Sequence, residues 1–422
     1  MQNGARARVL VAGGGFGGLE AAFYLRMRLG DNADITLVSD KDYFLFKPNT
    51  IYIPFGLDPE RLKVGLERPT RRKSISFVED RVREVDPDNK RAATDGHSLS
   101  YDYLVLATGA DMRPVEIEGL AEHAETVWTP RQMLKLRLAL YELLEDAREG
   151  RHRRVLFLVA PNNKCAGPLY ELILMLDTWL RRKEARENVD LAFSTYEQSY
   201  VQAFGPRLHG IVAGEFDRRD IAGHTARVAT KVEPEAVRYA SGESQPYDLL
   251  VAFSPYAAEV EYPRLPGDDR GFVSADLSSR QVVGYPDIYV AGDAGDFPVK
   301  QAFLAFLQAD AAAEHISARI LGEEEPAAGF EPLSMCVMEQ FDKATFAQVP
   351  LRLTGVEERP VEVDPAAPGD YRVGSYPAWR LGKKALGYYL PFRFALGNPF
   401  HAGAPWKVME AGLKAMSALM AK

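Results

Sequence analysis

Apolar residues in this chain gather in short runs that end in glycine, proline or small polar residues. Such runs read as buried strands. They begin at Arg8 in Arg-Val-Leu-Val-Ala and recur at Ile35–Val38, Tyr103–Ala107, Val155–Val159 and Ile288–Ala291. Between them the period changes to that of a helix. Residues 19–29, 131–148, 168–180, 300–321 and 405–422 each carry apolar positions at helical spacing. In the third of these, Pro168 suits the first helical position, and Leu169, Leu172, Ile173, Leu176 and Leu180 fall on one face. Gly322 and Pro326 are expected to end the fourth. Alternating strands and helices predict an α/β fold.

The turns sharpen that expectation. The first strand runs into Gly13-x-Gly15-x-x-Gly18, then a helix. This context makes the glycine fingerprint a dinucleotide site: Gly13 for the turn, Gly15 for approach of a pyrophosphate, Gly18 for helix–strand packing. Asp40 ends the next strand, about where an acid binds adenosine ribose. Part of the pattern repeats. Arg8-Val-Leu recurs as Arg154-Val-Leu, and Tyr101-Asp102 as Tyr247-Asp248, both at an offset of 146 (154 minus 8 and 247 minus 101). Equal offsets predict a duplicated nucleotide-binding domain inserted into the first. The expected architecture is two Rossmann-like domains in tandem plus a C-terminal α+β domain. Residues 1–115 and 259–325 would form the first, 116–258 the second and 326–422 the last.

The second copy has lost its glycines. Its turn reads Ala160-Pro-Asn-Asn-Lys-Cys165, and Phe253-Ser-Pro255 stands where the first copy has Ala107-Thr108-Gly109. Pro161 removes an N–H donor and stiffens the backbone, so NADH is expected to bind weakly or not at all. Cys165 lies just before a helix N-terminus and beside Lys164, and both favour thiolate. A buried structural cysteine is the other reading. The only other cysteine is Cys336.

Composition narrows the classes. The chain has 422 residues, 46% hydrophobic and 26% charged, with a net charge of −8. That is ordinary for a globular protein and argues against a general nucleic-acid binder. Two cysteines leave no basis for a disulfide scaffold or a multi-cysteine metal site, and no metal is expected. No apolar run reaches the length of a membrane span, and no export signal is read at the start. In the final segment Trp406, Met409, Leu413, Met416 and Met420 share one face, with Lys407, Lys414 and Lys422 outside it. A basic amphipathic helix of this kind suggests an interfacial membrane anchor; packing on the core or on a sister subunit is the alternative.

Three stretches together, the glycine turn, the strand ending Thr108-Gly109-Ala110 and the strand ending Gly292-Asp293, resemble the motifs of flavoproteins with two dinucleotide-binding domains. Lys164-Cys165-Ala166-Gly167-Pro168 with Glu171 resembles the first redox-cysteine motif of the sulfide:quinone oxidoreductases. Ser334-Met335-Cys336-Val337-Met338-Glu339 resembles their second. Asp42–Pro48 and Pro298-Val299-Lys300 with Gln308-Ala309 extend the likeness over essentially the whole chain. The resemblance implies FAD, held by Gly13, Gly15, Phe16, Gly18, Asp40, Lys47, Thr108, Gly109, Gly292, Asp293 and Lys300. It implies a Cys165–Cys336 redox pair, with Glu171 handling protons, that oxidises sulfide to sulfane sulfur and passes electrons through FAD to a quinone. The aromatic residues Tyr389, Phe392 and Phe394 are the candidates for the quinone site. The implied location is the surface of the cell membrane, as a peripheral protein, with homo-oligomerisation left open. The chain departs from the pattern in having no third cysteine in Glu125–Thr129 and no His in Gln202-Ala203-Phe204-Gly205. It also has Lys300-Gln301-Ala302 where Lys-Thr/Ser-Gly is usual. A type II NADH dehydrogenase, the flavoprotein subunit of a sulfide dehydrogenase and a redox sensor without turnover are the alternatives.

Overall fold

The computed structural model describes residues 6–326 and 329–421. Strand Ala7–Ala12 is central to a parallel sheet. It pairs with Ala33–Ser39 on one side and Tyr103–Leu106 on the other, and the sheet extends to Ser76–Glu79 and to Tyr285–Val290. Gln281–Val282 adds an antiparallel edge. Val9 to Ala12 are buried, as expected for a strand covered on both faces. Helices Phe16–Leu29 and Ala302–Leu321 pack against each other on this sheet, and the second ends at Gly322 in the left-handed region (φ 69°).

A second parallel sheet has the order Glu125–Thr126, Leu249–Phe253, Arg153–Val159, Val189–Thr195, Ile221–His224. It repeats the five parallel strands of the first sheet. Val9 faces Tyr103 and Val155 faces Leu249, so the offset of 146 is also a register (155 minus 9 and 249 minus 103). In the first copy Asp102 accepts the Arg8 backbone N–H and guanidinium, each at 2.7 Å; in the second Asp248 holds Arg154 with the same two distances. Each copy also carries a three-stranded antiparallel meander. Ala110–Met112 pairs with Tyr256–Ala258 where the chain passes between the two units.

Helix Gly167–Arg182 begins one residue before Pro168. It is buried on nearly every side from Leu169 to Thr178, including Glu171 and Asp177. The five leucine and isoleucine positions mark the face toward its own sheet. The other side is covered by strand Leu333–Glu339 of the C-terminal domain, which the sequence period does not register. That domain is an antiparallel sheet in which Ala344–Leu353 pairs with Leu333–Glu339, Val361–Val363 and Arg372–Tyr376. Helices Ala378–Ala395 and Ala404–Met420 follow.

The last helix corrects the anchor expectation. Trp406 is buried, and Leu413, Met416 and Met420 pack on the cluster formed by Phe346 and Trp379. The apolar stripe therefore faces the protein's own sheet. Lys422 lies outside the described residues. The last helix exposes Val408 and Leu419, and the preceding helix carries a further exposed apolar stripe, where Leu381, Tyr388 and Phe392 are 68%, 80% and 61% exposed and share one side by helical spacing. Among the described residues no helix is long and apolar enough to cross a membrane.

Candidate functional site

The crevice at the ends of the first sheet's strands opens into a cavity of about 1410 Å³. Two of the fingerprint glycines are dictated by packing. A Cβ on Gly13 (φ 116°) would lie 2.2 Å from the Ala107 carbonyl oxygen, and one on Gly18 would lie 1.8 Å from that of Gly13. Gly15 differs: no protein atom lies within 4 Å of where its Cβ would be, and it lines the cavity at the N-terminus of helix Phe16–Leu29. Unpaired N–H groups there suit a pyrophosphate. Asp40 ends its strand on the rim, paired with Lys41 at 3.2 Å. Thr108 and Gly109 line the wall, with Thr108 accepting from Tyr262. Gly292 donates its N–H to Gln308 Oε1 at 3.1 Å, which fixes the turn bearing Asp293. This lining fits FAD, with open space over Gly15 at a helix N-terminus and the carboxylates of Asp40 and Asp293 on the same wall.

Two lysines act on Asp293, Lys300 buried and Lys47 open to the cavity. Desolvation by the surrounding cavity wall pulls Lys47 down to about 8, and its ammonium lies 3.5 Å over the Trp128 ring. Burial pulls Lys300 down to about 7; its ammonium bonds the Gly295 carbonyl and lies 3.8 Å over the Phe272 ring. Burial pushes the Asp293 carboxyl up, and both lysines oppose that. The Lys300 backbone N–H donates to the Lys164 carbonyl at 3.1 Å, joining this turn to the cysteine loop. Phe16 packs edge-on against Phe44 and Phe306.

Cys165 and Cys336, 171 residues apart in sequence (336 minus 165), line the same cavity as free thiols. They stand close enough that charge on Cys336 opposes ionisation of Cys165. The expected easy thiolate at Cys165 is not what the structure holds. Burial drives its thiol far above the ordinary range, with Asp293, Cys336 and Glu171 adding to the effect. The Lys164 ammonium acts with Asp268, Asp269 and Arg270 instead; the cation that favours the Cys165 thiolate is Lys47. The Cys336 thiol is pushed up to about 12 by burial, then by Glu171, and eased by Lys383.

Lys383 was not legible in the sequence. Helix Ala378–Ala395 places it so that its ammonium bonds both Glu171 and, at 2.8 Å, the carbonyl of Val337, next to Cys336. Glu171 also accepts the Glu339 N–H at 2.7 Å. Glu171 is buried and its carboxyl is raised, burial outweighing Lys383 and the Glu339 N–H. Glu339 in turn accepts from Tyr52 at 2.8 Å and Arg380 at 2.7 Å. One buried network thus links the cysteine helix, the Cys336 strand and the C-terminal helix.

The expected quinone residues lie off the cavity wall. Phe394 is fully buried among Phe23, Phe44 and Phe306, Phe392 points outward, and Tyr389 packs on Phe400. Helical phase is the reason: Lys383, Leu386 and Leu390 face the cavity at i, i+3 and i+7. Phe400, Trp406 and Leu413 complete this apolar side.

The second copy's turn is closed on itself. Asn163 donates its side-chain amide to the Ser254 carbonyl at 3.0 Å and accepts the Cys165 N–H at 3.0 Å. Its carbonyl accepts the Tyr196 hydroxyl at 2.8 Å. The substituted turn and the substituted strand end therefore hold each other, and hold Cys165.

Comparison with known proteins agrees with this geometry. Residues 7–156 match the family model described as pyridine nucleotide-disulphide oxidoreductase. The chain is 32% identical to the sulfide-quinone reductase of Aquifex aeolicus over 266 residues, 61% of this chain and 59% of that protein. It is 24% identical to the mitochondrial sulfide:quinone oxidoreductase of Mus musculus over 342 residues, 78% of this chain and 74% of that one. The X-ray structure of the Aquifex aeolicus sulfide:quinone oxidoreductase superposes with a TM-score of 0.83 at 23% identity, covering 97% of this chain and 96% of that chain.

Proposed function

We propose that this chain, a relative of the sulfide:quinone oxidoreductases, is a flavin-dependent oxidoreductase that oxidises sulfide and passes the electrons to a quinone. The observation that carries the proposal is that Cys165 and Cys336 both open onto the cavity that also receives the flavin crevice. In their oxidised state the two sulfurs form a disulfide. Hydrosulfide attacks one sulfur; that S–S bond breaks, a persulfide S–S bond forms, and the other cysteine leaves as thiolate. A second hydrosulfide removes the sulfane sulfur as the disulfane anion. The remaining cysteine pair closes the disulfide again and gives up two electrons and a proton. FAD, when bound, supplies the two-electron carrier between the sulfurs and the acceptor. Glu171, raised by burial and bonded to Lys383, takes up the proton beside Cys336.

The apolar wall of Leu386, Leu390, Phe400 and Trp406 would receive the quinone ring. The stripe of Leu381, Tyr388 and Phe392 would lie in the membrane surface from which the quinone is drawn. NADH is the rival donor. Two of the N–H groups its pyrophosphate could use in the second turn are taken, Asn163 N–H by the Ala160 carbonyl at 3.3 Å and Cys165 N–H by Asn163, and Pro161 has none.

The test is anaerobic. Sulfide should bleach the flavin band of the loaded protein within the mixing experiment, the Cys165→Ser and Cys336→Ser variants should lose that response, and NADH should leave the band in place. Bleaching by NADH and not by sulfide would sink the proposal.

A further inference from the structure

Away from the cysteines, the junction between the flavin domain and the C-terminal domain is held by a titratable cluster that the mechanism above does not use. Glu20 lies inside helix Phe16–Leu29 at 0% exposure. One of its oxygens accepts the Phe400 N–H at 2.6 Å and the other the His401 N–H at 2.8 Å. Both donors sit in the link between the two C-terminal helices. The carbonyl side of the same link is gripped by Arg393, which donates to Pro399 O at 2.6 and 3.0 Å and to Ala402 O at 2.9 Å. The His401 ring bonds Asp310 Oδ2 through Nδ1 at 2.7 Å. Asp310 belongs to helix Ala302–Leu321, whose start faces the flavin crevice.

One atom is left over. Asp310 Oδ1 is buried and, among the described residues, accepts no N–H or O–H. The Asp310 and Glu20 carboxyls are neighbours, both bound to His401, Glu20 through the backbone N–H and Asp310 through the ring. Two carboxylates in contact cannot both stay ionised, and one proton between them relieves both. Each Glu20 oxygen already accepts an amide, and a proton held between the two carboxyls would give Asp310 Oδ1 the hydrogen bond it lacks.

We propose that Glu20 and Asp310 share one proton, and that this pair latches the link at Phe400 and His401 onto the flavin domain, positioning the Phe400–Trp406 wall. Phe400 packs on Trp406 at 4.9 Å and on Phe306 at 4.7 Å, and the His401 ring lies 4.4 Å from that of Trp406. Freeing the link would therefore move the wall. Burial raises both carboxyls and lowers the His401 imidazole, in keeping with a protonated pair beside a neutral ring. The surrounding charges do not replace the proton. Tyr24 bonds Glu314, Arg28 pairs with Glu314 and Glu323, and Glu410 pairs with Lys414. Arg393 is spent on carbonyls and lies over the Tyr389 ring. Glu20, Asp310 and Arg393 are positioning residues for whatever acceptor uses the wall; only the identity of that acceptor rests on the function proposed above.

The experiment is amide hydrogen exchange at Phe400 and His401 in FAD-loaded protein, paired with stopped-flow readings of the two half-reactions using sulfide and a short-chain quinone. Glu20→Gln should raise exchange at these two amides at least tenfold. It should also raise the quinone concentration for half-maximal reoxidation severalfold, leaving bleaching by sulfide unchanged. In the parent protein, exchange corrected for its intrinsic pH dependence should accelerate as pH rises through the ionisation of the pair. Asp310→Asn, whose amide donates where the proton sat, should keep protection and lose that acceleration. Unchanged protection in Glu20→Gln, or an Asp310→Asn pH profile identical to the parent's, would overturn the latch. A parent protein that sulfide does not bleach would remove the functional proposal and leave the exchange result to decide the latch by itself.

Discussion

Lys383 and Glu171 act on the Cys336 thiol with opposite signs, which makes their roles separable. Burial, with Glu171 adding to it and Lys383 opposing it, leaves that thiol pushed up to about 12. Lys383 Nζ is 2.8 Å from the carbonyl of the neighbouring Val337, and both charges act on the sulfur. A unit charge at about 6 Å and an effective dielectric of about 20 is worth ~3 kcal/mol. At ~1.4 kcal/mol per tenfold, removing one charge changes the thiolate fraction by up to about a hundredfold, and by about tenfold if solvent screens half of the effect. The assay is alkylation of Cys336 by a neutral reagent, followed against pH in a Cys165→Ala background. Lys383→Met should slow alkylation at a given pH, and Glu171→Gln should speed it. The double variant should return near the parent, because it removes both charges together. It should also be more stable to heat than Lys383→Met alone, since a single change leaves a buried carboxylate uncompensated, a loss of about 3–5 kcal/mol unless Glu171 takes a proton. If both single variants shift alkylation in the same direction, the thiol is governed by solvent access and the electrostatic account fails.

Two further outcomes follow from the geometry. Gly15→Ala should fold normally but retain little FAD, because its Cβ meets no protein and would occupy the crevice, whereas Gly18→Ala should lose both FAD and stability, because its Cβ would strike the Gly13 carbonyl; flavin content and circular dichroism of the two variants separate the cases. Replacing Leu381, Tyr388 and Phe392 together by Gln should abolish binding to phospholipid vesicles in a flotation assay with little change in melting temperature, while Met416→Ala with Met420→Ala should lower the melting temperature and leave flotation intact.

What the sequence shows and hides follows from the range of each interaction. The glycine turn, the Gly292-Asp293 strand end and the duplication are legible because their constraints are local: a Cβ clash within one turn, or a strand run and its clamp repeated at one offset. The burial of Cys165 is not local. Its position before a helix and beside a lysine argues for a thiolate, but the helix is covered by a strand more than 150 residues away, and desolvation outweighs both influences. Lys383 and the displaced quinone residues fail for one shared reason. In an aromatic stretch the residue types suggest a ring site, whereas helical phase decides which of them face it, and that phase is set by packing on a sheet. The last helix shows the same ambiguity: an apolar stripe demands a cover, and its period is the same whether lipid or protein provides it.

The two copies of the nucleotide fold show how a nucleotide turn can hold a thiol without disturbing its sheet. The Arg8–Asp102 and Arg154–Asp248 clamps sit where their strands begin, and they fix the register in both copies. The turns lie at the opposite end of the strands, so a change there leaves the register intact. In the first copy, turn and neighbouring strand touch through bare backbone, with Gly13 so near the Ala107 carbonyl that a side chain is excluded. In the second, the Asn163 side chain spans that gap to Ser254. The same side chain takes the Cys165 N–H, and the Tyr196 hydroxyl, from the end of the next strand, bonds its carbonyl. A pyrophosphate needs those N–H groups free and that space open. Asn163 thus both holds the cysteine and takes up one N–H and part of the space that a pyrophosphate would use. It follows that restoring glycines at 161 and 163 would release Cys165 before it recovered any affinity for NADH.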